Sequence, residues 1–167
     1  PRERLVAEQL GLCAFCLGRI RPESPVIDGN AGTVLAHVVP LTIDRLRIFD
    51  WTNLVGACPG GTKKAPHCDR AQGQQRLHVH PAFSPLALED HIAYASSGIL
   101  TYVGPTLFFR QRAEIQAEFD DVLKLNVTRL KENRAAVLEE AQRRLPKTKG
   151  LYPESLLRSE IEYWTSP

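Results

Sequence analysis

The chain has 167 residues, 21 Lys+Arg against 19 Asp+Glu, 43% apolar residues, four cysteines and no methionine. That length buries a real core, the ordinary apolar content excludes a disordered chain, and no apolar run reaches the span of a bilayer. A net charge of +2 gives no global attraction to nucleic acid, so any such contact must come from a local patch.

The opening Pro-Arg-Glu-Arg is no signal peptide. With Pro1 and no methionine, the chain reads as trimmed and cytoplasmic. Residues 2–10 predict a short helix ended by Gly11, since glycine takes the left-handed cap conformation. Cys13-Ala-Phe-Cys16 follows as a CxxC knuckle, and Cys58 and Cys68 flank a Pro/Gly/Lys-rich loop. A disulfide framework needs a cysteine-dense secreted chain, and a redox CxxC needs a surrounding βαβ unit. Neither fits. Two thiol pairs permit a tetrahedral four-cysteine zinc site, with buried or free thiols as the other reading.

Residues 28–32 are a turn cluster, and residues 33–39 predict a strand that Pro40 stops. Residues 53–57 predict a second strand running into Cys58. A helix is expected from Cys68 to about Leu77, weakened by Gly73. Beyond it, residues 92–94 and 99–103 predict a β-hairpin around Ser96-Ser97-Gly98. Ile115, Phe119, Val122 and Leu123 recur at helical spacing, as do Leu130, Val137, Leu138, Ala141 and Leu145, with Asn126 or Thr128 as the cap of the second helix. A basic linker at 146–150 and a last helix carrying Leu157, Ile161 and Trp164 complete the chain. There is no internal repeat or low-complexity tract.

Three polar groups fall in order after the first knuckle: His37 near the end of the first strand, Asn53 at the start of the second, and His67-Cys68-Asp69 where a helix begins. His37 is the candidate base, because imidazole titrates near neutral pH. Asp69 is a hard oxygen ligand suited to Mg²⁺ or Mn²⁺, or else a helix N-terminal acid. His67 competes for that metal or replaces a cysteine at zinc. His78 and His80 alternate around Val79 and read as a solvated loop, or a metal pair. Arg45, Arg47, Lys63, Lys64, Arg70 and Arg76 surround the site in sequence, as phosphate contacts or as ordinary charged surface.

The order Cys-Ala-Phe-Cys, Ala-His-Val-Val-Pro, Asp-Trp-Thr-Asn-Leu-Val-Gly-Ala-Cys and His-Cys-Asp-Arg resembles the HNH endonuclease (ββα-metal) family. The likeness is nearest to the HNH subunits of Septu anti-phage defence and related retron systems. It spans roughly residues 10–145, including Leu-Lys-Leu-Asn and Arg-Leu-Lys-Glu-Asn-Arg in the helical tail. The resemblance implies an α+β fold: a zinc-clamped ββα module over residues 1–85, and a hairpin-and-helix extension over residues 86–167 that docks a partner. It implies His37 as base, Asn53 orienting the histidine or the metal loop, and Asp69 at the third motif position. It also implies structural Zn²⁺, catalytic Mg²⁺ or Mn²⁺, a DNA or RNA substrate and a controlling ATPase subunit in a hetero-oligomer. Ala36 departs from the pattern, since an acid or histidine often precedes the first motif histidine and helps hold the metal. Asp28, Asp44 and Asp50 are the substitutes within reach in sequence. The rival expectation is a zinc-stabilised binding module that has lost catalysis.

Overall fold

The computed structural model describes residues 1–23, 32–81, 88–106, 110–145, 155–156 and 158–159. The turn cluster with Asp28, the pair Phe108-Phe109, the 146–150 linker and the helix expected around Leu157, Ile161 and Trp164 lie outside them or only touch them.

The chain is mixed α+β. Helix α1 (Arg2–Glu8) buries Leu5 and Val6. Its exit uses Leu10 and Gly11, both at positive φ, with the Gly11 N–H returning to the Val6 carbonyl at 2.8 Å. Strands β1 (Val34–His37) and β2 (Leu54–Ala57) pair antiparallel, with Ala36 opposite Val55 and His37 opposite Leu54. The strand expected through Val39 ends at His37. The reason is Asn53, whose side chain takes over both backbone groups of Val39 and so replaces a cross-strand pair.

The outer edge of β2 is also closed by an amide. Gln9 accepts from the Gly56 N–H at 2.7 Å and donates to the Gly56 carbonyl at 2.8 Å, which ties α1 to β2. A bare edge would template unwanted pairing. Helix α2 is one turn, Asp69–Gln72, because Gly73 leaves the helix at φ +54°. The helix expected to reach Leu77 therefore stops early. Gln72 docks α2 onto the strands: its Nε2 donates to the carbonyls of His37 at 3.2 Å and Val38 at 3.0 Å.

Strands β3 (Ile92–Tyr94) and β4 (Leu100–Tyr102) form the expected hairpin. Helix α3 (Arg112–Ala117) runs into a π-turn, Glu118–Val122, and α4 spans Thr128–Arg144. Ile115, Phe119 and Leu123 are buried at the expected spacing. The N-cap of α4 is Val127, without a side-chain bond. Asn126 does not cap it. It holds the hairpin instead, accepting from the Leu100 N–H at 2.9 Å and donating to the Leu100 carbonyl at 2.9 Å.

The core is one cluster that crosses the expected 85/86 boundary. Val6, Phe15, Ile20, Ala36, Val38 and Val55 pack with Leu100, Tyr102, Ile115, Phe119 and Leu130. The Cys68 N–H donates to the Leu123 carbonyl at 2.8 Å, which anchors the second cysteine loop on the π-turn. Among the described residues no helix is long and apolar enough to cross a membrane.

Candidate metal centre and adjoining polar cleft

Two tight loops deliver the cysteines. In the first, the Cys13 N–H bonds the Gly18 carbonyl at 2.8 Å, and Leu12 bridges Arg19. In the second, Gly60 and Gly61 hold φ of +76° and +71°, and the His67 N–H returns to Gly60 at 3.0 Å. A Cβ on Gly60 would sit 2.5 Å from the His67 carbonyl oxygen. Glycine is required there by both space and φ.

The four sulfurs of Cys13, Cys16, Cys58 and Cys68 lie within 4.8 Å of one another. The Cys13–Cys68 and Cys16–Cys58 separations are 4.0 and 3.8 Å. These are not disulfides, and all four cysteines are free. A tetrahedral thiolate site with metal–sulfur bonds of about 2.3 Å has edges of about 3.8 Å. The cluster could therefore hold a metal such as zinc. The Cys58 N–H points at the Cys13 sulfur at 3.3 Å, an outer contact of the kind that steadies a ligating thiolate.

Crowded together, the thiols cannot all ionise alike. Neighbouring thiols donate to Cys13 (Cys16 first) and to Cys58 (Cys13 first) and push both down. Cys16 and Cys68 are pushed up, chiefly by Cys13. A bound cation removes that conflict, because it favours every thiolate at once.

His67 belongs to this cluster. It is buried, with Nδ1 at 3.2 Å from the Cys68 sulfur and 3.9 Å from that of Cys58. Of its two expected places, beside a divalent ion with Asp69 or at the zinc cysteines, His67 lies against the thiols.

His37 stands at the end of β1, with its carbonyl held by α2. The His37 Nε2 lies 3.2 Å from the Ile48 carbonyl. A carbonyl only accepts, so Nε2 carries the hydrogen and Nδ1 carries the lone pair in the neutral ring. Asp69 opens α2, half-buried, and its carboxyl is pushed up by burial and pulled back by the nearby charge of His37. Gln72 docks α2 on the His37 carbonyl, so Asp69 at the head of α2 lies near enough to His37 to feel its charge.

Asn53 was expected to orient the histidine or the metal loop, and its amide is spent on the backbone two residues beyond His37. It is fully buried, its Oδ1 accepting from the Val39 N–H at 2.8 Å and its Nδ2 donating to the Val39 carbonyl at 3.0 Å. Both ends of the amide are engaged, so Asn53 positions the backbone beyond His37 and does not itself face a substrate. Ala36 is 1% exposed in the core opposite Val55. A carboxylate there would lie among apolar side chains, away from the face that presents His37.

Sequence reasoning missed Gln72. The signal was available, since Gln72 stands three residues after Asp69 and so shares its helix face. His78 is exposed, as a solvated loop residue is, and it is also tied down: Nδ1 meets the buried Glu118 at 2.6 Å and Nε2 meets Arg110 at 2.8 Å. His80 packs on the 47–52 segment, where burial pulls it below the ordinary imidazole value against a hydrogen bond to the Thr52 backbone. Of the six basic residues around the site, Arg47 bonds Asp50 and Arg70 bonds the Gly61 carbonyl, both within the chain.

Among the described residues the cysteines are the one group of three or more potential ligands. His37 and Asp69 stand outside that group.

No protein-family model matches the chain, and no curated protein matches it.

Proposed function

We propose that the protein is a zinc-stabilised nuclease of the HNH type, hydrolysing phosphodiester bonds of DNA. The observation that carries this reading is His37. Its ring is oriented by the Ile48 carbonyl through Nε2, beside Asp69 on a helix that follows a tetrahedral thiol cluster. The order of two antiparallel strands, cysteine loop and helix supports the ββα-metal assignment.

In this mechanism His37 takes a proton from water at Nδ1. The imidazolium that results keeps its Nε2–H on Ile48 and is balanced by the Asp69 carboxylate. Burial raises the Asp69 carboxyl, so a neighbouring positive charge is what makes its ionised form comfortable. A divalent cation at Asp69 would neutralise charge on the phosphate and its leaving oxygen. Asn53 and Gln72 fix the backbone from His37 to Val39. Zinc held by Cys13, Cys16, Cys58 and Cys68 would take no part in the chemistry and would hold the two loops in register. The anti-phage role and the controlling ATPase subunit rest on the likeness of motif order described above, and belong to the same proposal.

The second reading, a binding module without catalysis, is favoured by one observation: Ala36 is in the core and leaves two ligands for a second metal. Incubation of plasmid with the protein and Mg²⁺ or Mn²⁺ separates them. Nicking or linearisation that requires the added ion and falls about 10²–10⁴-fold in His37→Ala, with zinc content unchanged, is the expected result. Plasmid bound but intact under every ion condition would favour the module.

A further inference from the structure

The segment between Pro40 and Trp51 exposes apolar side chains that a lone monomer would be expected to hide. Leu46 is 94% exposed, Phe49 88%, Ile43 50% and Ile48 44%. Scattered exposed apolar residues need no explanation, but a contiguous set marks an interaction surface.

This loop is not slack chain. The Asp44 carboxylate caps the Arg45–Arg47 turn by accepting from the Leu46 N–H at 3.1 Å. Asp50 caps the Trp51–Asn53 turn, accepting from the Thr52 N–H at 2.9 Å and its hydroxyl at 2.6 Å. The second Asp50 oxygen takes Arg47 Nε at 2.8 Å. Both carboxylates are therefore turned back on the backbone. What the loop offers outward is Leu46, Phe49 and the exposed guanidinium of Arg45.

We propose that this loop is a DNA-duplex wedge, with Leu46 and Phe49 entering between base steps while Arg45 meets a phosphate. Apolar wedges flanked by cations are the chemistry by which minor-groove binders unstack and bend a duplex. The outward absence of acid and the presence of Arg45 favour a polyanion over a protein groove. Position favours it as well. The carbonyl that orients His37 belongs to Ile48, which stands between Leu46 and Phe49 in the chain, so the wedge loop adjoins the proposed base. This inference rests on the nuclease reading and adds how the substrate is gripped.

The test is fluorescence anisotropy with a labelled DNA duplex over a salt series, without added divalent ion. The double variant Leu46→Ser/Phe49→Ser should weaken binding at least about 10-fold, because each buried apolar side chain contributes about 1.5–3 kcal/mol and 1.4 kcal/mol is tenfold. Its salt slope should match that of the unaltered protein, since the phosphate contacts remain. Arg45→Ala should lower the slope by about one. Leu46→Met/Phe49→Leu should keep affinity within a few-fold, which ties the loss to apolar burial rather than to folding.

Unchanged binding in Leu46→Ser/Phe49→Ser overturns the wedge and leaves the nuclease reading standing. Unchanged DNA binding with loss of a dimer in sedimentation also overturns it, in favour of contact between copies. An unaltered protein that neither binds nor cuts DNA overturns both readings.

Discussion

Asn53, Gln72 and Gln9 do the same work at three places: each uses a side-chain amide to complete a backbone that the short strands leave open. A buried backbone group without a partner costs about 1–3 kcal/mol. Asn53 covers two such groups on Val39. Asn53→Ala should therefore lower stability by about 2–4 kcal/mol, which for a chain of this size is a fall in melting temperature of roughly 4–16 °C. Thermal denaturation followed by circular dichroism checks this, and a change within one degree would show that water replaces the amide. Asn53→Asp keeps the acceptor but loses the donor to the Val39 carbonyl, so it should recover only part of the loss. The same substitutions should reduce cleavage indirectly, by releasing the backbone that carries His37. Gln72→Ala should loosen α2 from His37 and Val38 in the same way, and Gln72→Glu should be no rescue, because carbonyls need a donor.

At the scale of elements, the hairpin and α4 meet where glycine alone fits. Gly98 has φ +76°, and a Cβ there would fall 1.9 Å from the Lys131 carbonyl oxygen in α4. Arg134 reinforces the junction. Its Nε donates to the Gly98 carbonyl at 2.8 Å and its Nη2 to the Leu125 carbonyl at 2.6 Å, with the guanidinium 5.9 Å from the Tyr94 ring. Gly98→Ala should force the hairpin off α4 and cost about 2–5 kcal/mol, combining overpacking of about 1–3 with a left-handed penalty of about 1–2. Amide hydrogen exchange should report the damage at Leu100 and along the first turns of α4 rather than at β1 and β2. Protection lost evenly over the chain would mean that the hairpin and the strands unfold as one unit.

For the molecule as a whole, the thiol cluster and pH set the stability. If zinc fills the cluster, elemental analysis should find about one zinc per chain. Chelation should then lower the melting temperature, because the metal's binding energy is folding energy when its site exists only in the folded state. Metal-free protein with an undiminished melting temperature would mean that the thiols pack as ordinary buried cysteines. The pH response should come in part from His80. Burial lowers its folded pKa below the unfolded value. Neutral His80 costs nothing, and as pH falls through the ordinary imidazole value near 6.5 the unfolded chain takes up the proton first. Stability should thus decline on acidification from neutral pH and level off once the folded state is protonated. His80→Gln should flatten that part of the profile and leave the part due to protons competing with metal at the thiolates. A profile identical in the two proteins would show that His80 is not strained by burial.

What the sequence determined is what depends on spacing and local chemistry. Two cysteine pairs, glycines at the loop turns and alternating apolar residues placed the cluster, both strands of each hairpin and the buried faces of α3 and the π-turn. His37 and Asp69 were legible because one ends a strand and the other opens a helix, next to ligating residues. The tertiary structure decided which polar group faces which neighbour. His67 and Asp69 are two positions apart in the chain, yet His67 turns to the sulfurs while Asp69 opens α2, because Cys68 sits between them at φ +54°. Asn53 is a backbone clamp, because β1 stops short and leaves Val39 to be satisfied. That one core cluster takes in both Val55 and Leu100 leaves no periodic mark in either segment. Periodicity records which face of an element is buried, and only the fold records what it is buried against.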